Sequence, residues 1–290
     1  MRLSWTVPAM AAALSAAACA PTTTGESFDD IVFELVNNGK LRKERAPADA
    51  PFTNADLVRN FDRIAFGLEA QFETPGGDHD LIRRWDGPVR WRIDRVSKPV
   101  EVETRLRAGQ TFARLARATG IEIEATEDGS DTNFAILLLA PEDYSPLAAR
   151  FSEMGLEKLA AWARGFRSYA ASPCVGVFIP APDKAGEGSN ARGRIAYVLV
   201  LIREGLAEDL FLACLEEELS QGMGLPNDHN EARPSIFNDL QEFAFLTEHD
   251  EFLLRILYHP RLRPGMPRDE AMALVPGIVE ELRPGGGTIE

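Results

Sequence analysis

Positive charge is in short supply in this chain. It carries 31 Lys and Arg against 45 Asp and Glu over 290 residues, a formal net charge of −14. No Lys/Arg cluster in the second half stands clear of acidic neighbours. Nucleic acids and anionic membrane surfaces both require a basic footprint, so neither is expected as a partner. Long apolar runs are also missing: after residue 18 nothing approaches the roughly 20 apolar residues that a membrane-spanning helix needs. Cysteine is limited to Cys19, Cys174 and Cys214. What remains, 45% hydrophobic and 26% charged residues, suffices for one main core.

The first 18 residues, MRLSWTVPAMAAALSAAA, hold one Arg, no acid and an apolar run ending in small residues, the pattern of a secretion signal. The run from Trp5 to Ala18 is too short for a mature membrane helix. Ala16, Ala17 and Ala18 lead into Cys19, and the junction resembles a bacterial lipobox, in which the cysteine is lipidated and becomes the new N-terminus. Leucine usually stands where Ala16 does. Plain signal cleavage after an A-x-A site is the other reading. Export places the chain in the bacterial cell envelope, facing the periplasm, and a lipid on Cys19 anchors it to a membrane. In that oxidising compartment Cys174 and Cys214 are an even pair, read as a disulfide, with two buried free thiols as the alternative.

Residues 19–52 read as lipid anchor, tether and N-terminal segment. APTTTGES is a flexible tether, Phe28 to Val36 has helical spacing, and NNGKLRKERAPADAP reads as a loop or linker. Thr53 or Asn54 caps a helix with apolar positions Leu57, Phe61, Ile64 and Ala65, so folded structure is expected from about residue 53. Strands are expected over Val89–Ile93, Ile121–Ala125, Phe134–Ala140, Cys174–Ile179 and Ile195–Ile202, the third and last as continuous apolar runs. Helical periodicity covers most of 100–119, then 146–166 and about 206–223. The fold class is α+β: a mixed sheet of about five strands packed on helices, over residues 53–266. Trp85, Trp91 and Trp162 are read as core. Residues 267–290 are read as a C-terminal helix and a tail disordered from Pro284, with its three consecutive glycines.

The helix at 206–223 carries the chemistry-bearing stretch CLEEELSQGMGLPND, residues 214–228. At 100° per residue, Gln221 falls about 40° from Glu217, and Leu210 and Cys214 fall within about 60° of it. Leu212, Leu215, Leu219 and Met223 form a second apolar face. The helix is therefore wedged between two layers, with Glu217 and Gln221 on its inner stripe. Buried carboxylates need hydrogen bonds, a cation or a cleft. Alternatively, the helix end emerges into solvent and its three glutamates are a solvated run. Gly224 ends the helix, LPND continues as a loop, SIFND follows at 235–239, and Thr247 caps a helix through Phe252, Leu253, Ile256 and Leu257.

This succession resembles the metzincin branch of zinc metalloproteases, in which H-E-x-x-H-x-x-G-x-x-H is followed by a Met-turn and a closing helix. The resemblance covers about residues 85–260 as architecture, with its specific residues in 214–260. Glu217 stands at the first zinc histidine, Glu218 at the catalytic glutamate, Gln221 at the second histidine, Gly224 at the bend glycine, and Asn227 at the third histidine with Asp228 beside it. Ser235, Ile236 and Phe237 match the Met-turn, with Phe in place of Met. Most of the mature chain also resembles a family of proteobacterial lipoproteins built on a domain of unknown function. Imidazole and thiolate dominate zinc sites. With Glu, Gln and Asn in their place, no metal and no cofactor are expected. His229 is read as a solvated loop side chain, and Arg261 and Arg263 either close over the acidic cleft or make surface ion pairs.

Two functional expectations follow. The first is a non-catalytic zincin-like domain in which Glu217, Glu218, Gln221, Asn227 and Asp228 line a cleft that is structural or binds a protein or peptide partner. The second is a peptidase-like hydrolase with Glu218 as general base and a non-canonical metal, or none.

Overall fold

The computed structural model describes residues 28–67, 80–95, 99–127, 129–165, 173–180, 193–238 and 240–286. Residues 1–18, expected as a secretion signal, and Cys19 lie outside the described residues. A five-stranded sheet organises the fold: β1 (Val89–Arg95), β2 (Ile123–Ala125), β3 (Phe134–Leu139), β4 (Cys174–Pro180) and β5 (Ile195–Arg203), in the order β2-β1-β3-β5-β4. β1, β2, β3 and β5 run parallel, and β4 pairs with β5 antiparallel. The sheet is thus mixed, as expected. Every residue of β3 is buried, because this central strand has packed side chains on both faces. Phe134, Ile136 and Leu138 enter the main core, while Leu137 and Leu139 enter a second core.

The main core lies under α2 (Asn54–Ala65), α3 (Val102–Thr119), α6 (Glu208–Gln221), α7 (Glu248–Leu257) and α8 (Arg268–Leu282). Trp85 and Trp91 are buried in it. The side chain of Trp162 lies outside the described residues. The second core packs beneath α4 (Tyr144–Glu153) and α5 (Glu157–Gly165). Sequence periodicity reads 146–166 as one helix, but the structure has two. Gly155, at φ 73°, takes a left-handed conformation that few other residues adopt, and the chain turns there. Cys174 on β4 and Cys214 on α6 form a disulfide, which ties the edge strand to the helix beside it. Among the described residues no helix is long and apolar enough to cross a membrane.

Both ends of the described residues are more integrated than the sequence suggests. α1 (Phe28–Asn37) packs Val32 and Leu35 with Leu210 and Ala213 of α6. Residues 41–45, expected in a linker, dock along 241–248 through backbone hydrogen bonds. At the other end, the Arg283 guanidinium donates to the Phe52 carbonyl at 2.9 Å, and Asn54 N–H donates to the Gly286 carbonyl at 3.2 Å. A tail disordered from Pro284 is therefore corrected: order extends through Gly286, held by the start of α2. The physical reason is the same at both ends. The partners lie some two hundred residues away, beyond the reach of local pattern.

Candidate functional site

α6 leaves the end of β5 and runs beneath the edge strand β4. Its three consecutive glutamates are not a solvated run, because Glu216 and Glu218 are 6% and 4% exposed. Each takes a different direction. Glu216 accepts two hydrogen bonds from the Arg45 guanidinium, at 2.6 and 2.9 Å, and one from Leu246 N–H at 2.9 Å. This bidentate pair is structural. Glu218 points at β4, where a Cβ on Gly176 would come within 2.6 Å of its Oε2. Only a glycine at 176 leaves that carboxylate its place. Glu217 is half-buried on the open side.

Glu217, Glu218 and Gln221 line one small cavity of about 20 Å³, together with Pro173, the Cys174–Cys214 disulfide, Leu210, Ala213, Ile236, Asn238 and Phe243. Helical spacing from Glu217 to Gln221 puts both on the same face, as the sequence indicates. Gln221 Nε2 donates to Asp228 Oδ1 at 3.1 Å, which fixes the loop after the helix. Asn227 departs from the expectation. Its amide donates to the Arg63 carbonyl at 2.7 Å and lies over Gly67, so it buttresses α2 rather than the cavity. Its backbone N–H is also held, by the Ile64 carbonyl at 3.2 Å, and this pairing turns the side chain away. His229 accepts from Glu231 N–H through Nδ1. Arg261 and Arg263 pair with Glu281 and Glu270 of α8, away from the cavity.

The end of α6 is fixed from below. The carbonyls of Gly222 and Met223 are orphaned by the end of the helix. Trp85 Nε1 donates to the first and the Tyr258 hydroxyl to the second, both at 2.9 Å. Burial pushes the Tyr258 phenol well above its usual range, so it remains a donor. Gly224, at φ 108°, then reverses the chain so close to Arg83 O that a Cβ would lie 2.2 Å from it. The SIFND turn is held by Asp250, which is fully buried. Asp250 accepts from Ser235 Oγ at 2.6 Å, Ile236 N–H at 3.0 Å, and Thr247 N–H and Oγ1 at 2.9 and 2.8 Å. His249 Nδ1 lies 3.3 Å from Asp250 Oδ1, and its Nε2 lies 3.0 Å from Asn60 Nδ2. Sequence reasoning found the Thr247 cap but missed this network. The T-x-x-D spacing of a capping box was its visible signal.

The mouth of the cavity is crossed by the N-terminal segment. Leu41 and Gln241 both line the cavity, and Leu41 N–H donates to the Gln241 carbonyl at 2.9 Å. Leu41 and Gln241 have φ of 53° and 52°, the non-glycine residues with positive φ among those described. Among the described residues no group of three or more His, Cys, Asp or Glu side chains is placed to hold a metal ion. The donor set that the metzincin resemblance assigns to zinc does not fit that metal: Glu217 and Gln221 share the cavity, whereas Asn227 is spent on α2.

A family model described as a protein of unknown function (DUF2927) matches residues 54–277. Neither a curated protein nor a solved structure matches the chain.

Proposed function

The chain belongs to the DUF2927 family, and we propose that it is a lipid-anchored envelope protein whose zincin-like domain binds a polypeptide without cutting it. The observation that carries this reading is the cavity. Glu217, Glu218 and Gln221 occupy one lined cleft beside an edge strand, in the relative positions that the metzincin resemblance gives to the first histidine, the catalytic glutamate and the second histidine. The position of the third histidine is turned to other work. A cleft that keeps Glu217, Glu218 and Gln221 together while Asn227 is turned away supports binding of polypeptide over its cleavage. Export and anchoring through Cys19 rest on the apolar leader and its A-A-A-C junction. The disulfide supports an oxidising compartment.

The second reading is a hydrolase. It is favoured by the seclusion of Glu218, whose carboxylate is buried at the cavity wall against Gly176, the setting of a general base. The two readings are separated by elemental analysis of protein purified from the cell envelope, followed by a peptide-library cleavage assay of the chain and its Glu218→Gln variant. The binding reading expects no stoichiometric metal and no cleavage that depends on Glu218. A stoichiometric metal with Glu218-dependent cleavage establishes the hydrolase instead.

A further inference from the structure

The mouth of the cavity is closed by the chain itself, and the composition of the closing segment identifies what the cavity accepts. Residues 40–45 read KLRKER, strongly basic in a chain of net charge −14. The segment is extended along the rim at 241–248. Leu41 and Arg42 N–H donate to the carbonyls of Gln241 and Glu242 at 2.9 and 2.8 Å. Ala244 N–H donates back to the Arg42 carbonyl at 2.8 Å, and Glu248 N–H to the Arg45 carbonyl at 2.7 Å. Such a ladder reads backbone and is indifferent to sequence.

The side chains supply the selectivity. Leu41 is 4% exposed and clusters with Leu210 and Ala213 in the cavity wall. Lys43 meets Asp209 at 2.5 Å and Arg45 meets Glu216 at 2.6 Å, while Arg42 pairs first with Asp49 and Glu44 of its own segment, at 2.7 and 3.2 Å, and then with Glu242 of the rim at 3.3 Å. Arg42 and Arg45 also lie over the rings of Phe243 and Phe245, 4.9 and 4.8 Å from the centroids. The rim lies within the family-matched residues 54–277, and the segment that covers it lies before them. At the point of closure Leu41 and Gln241 both hold left-handed backbones, which persist only where surrounding contacts impose them.

We propose that the cavity and its rim form a binding site for an extended basic polypeptide segment with an apolar residue immediately before an arginine, and that residues 40–45 are an intramolecular occupant which such a segment displaces. The proposal rests on the polypeptide-binding reading of the cleft and adds the chemistry of its ligand. A tethered occupant competes at an effective concentration in the millimolar range, so the intact chain binds an external segment weakly. A segment from outside can place its apolar residue with an unstrained backbone, and this favours exchange.

Fluorescence anisotropy of a labelled peptide GKLRKERA, copied from residues 39–46, tests this against the full chain and its Arg42→Ala/Lys43→Ala variant. That variant loosens the strap but leaves Arg45 on the buried Glu216. The variant is expected to bind at least tenfold more tightly than the unaltered chain. Binding is expected to disappear when aspartate replaces the peptide's leucine, or when Glu242→Lys and Asp209→Lys are added to the chain. A second opened variant, Leu41→Asp, expels the apolar side chain from the cavity by another route. Folding of each variant is read from circular dichroism and thermal melting. If both folded variants bind no more tightly than the unaltered chain, or bind the leucine-free peptide equally well, the proposal is overturned. Glu218-dependent cleavage of the bound peptide would instead overturn the non-catalytic reading and leave the ligand assignment standing.

Discussion

Asp250 does the most structural work of any single side chain near the site. Its two oxygens satisfy Ser235, Ile236 and Thr247 together, and so join the turn under the cavity to the first turn of α7. Removing Asp250 strands several buried donors, and a buried donor left without an acceptor costs about 1–3 kcal/mol. Asp250→Ala is therefore expected to lose about that much stability in urea denaturation, and a loss below about 1 kcal/mol would show that the network is dispensable. Two glycines make a sharper comparison. A Cβ on Gly222 would meet the Phe134 ring at 2.5 Å, whereas one on Gly176 would meet only the end of the Glu218 side chain at 2.6 Å. The ring is fixed in the core and the carboxylate can swing. Gly222→Ala should thus cost about 1–3 kcal/mol by overpacking, and Gly176→Ala clearly less. Melting curves of the two variants decide it, and the reverse order would mean that Glu218 is held more rigidly than the ring.

At the scale of elements, the disulfide and the strand register set the position of the cleft. Cys174 and Cys214 are 40 residues apart, and a loop of that length constrains the unfolded chain by about 4 kcal/mol in the chain-entropy treatment. The Cys174→Ala/Cys214→Ala variant should lose about 2–4 kcal/mol and still fold, since the sheet pairs β4 with β5 without the bridge. An unchanged denaturation midpoint would contradict this. Most elements were legible from pattern alone. FAILLL and IAYVLVLI lie in strands of the sheet, β3 buried at every residue and β5 over most of its length, so their apolar runs mark them directly. The Thr247 cap announced α7, and Glu217 and Gln221 share a face because helical spacing requires it. The direction of Asn227 was not legible. It depends on the Arg63 carbonyl, placed there by α2 some 160 residues earlier. The roles of Glu216 and Arg45 were hidden for the same reason, since one of the pair stood in an apparent linker.

For the whole molecule, the strap formed by residues 40–45 is held by ion pairs within the N-terminal segment and to Asp209, Glu216 and Glu242, and its pH response follows from them. The carboxyls of Glu44 and Asp49 are held below their usual range, chiefly by hydrogen bonds from Arg42. That of Glu242 is held low chiefly by Arg233, with Arg42 and Lys40 adding attraction. Carboxylates with depressed folded pKa values contribute stability above their unfolded pKa and lose it as pH falls through the folded value. Glu44 and Asp49 are largely exposed and Glu242 is half-buried, so the exposed pair contributes modestly. Below about pH 4, the ordinary carboxylate range, hydrogen exchange at the Leu41, Arg42 and Ala244 amides should therefore accelerate before that of β3 and β5. Protection that persists until the sheet itself opens would mean that the strap is held by its apolar contacts alone.

The proposed function, a cleft that binds polypeptide without cutting it, is tested by a mass-spectrometric digest of a peptide library by the full chain alongside its Glu218→Gln variant. The same intact peptides are expected from both, and peptide bonds cleaved by the chain but spared by Glu218→Gln would make the cleft a hydrolase site instead.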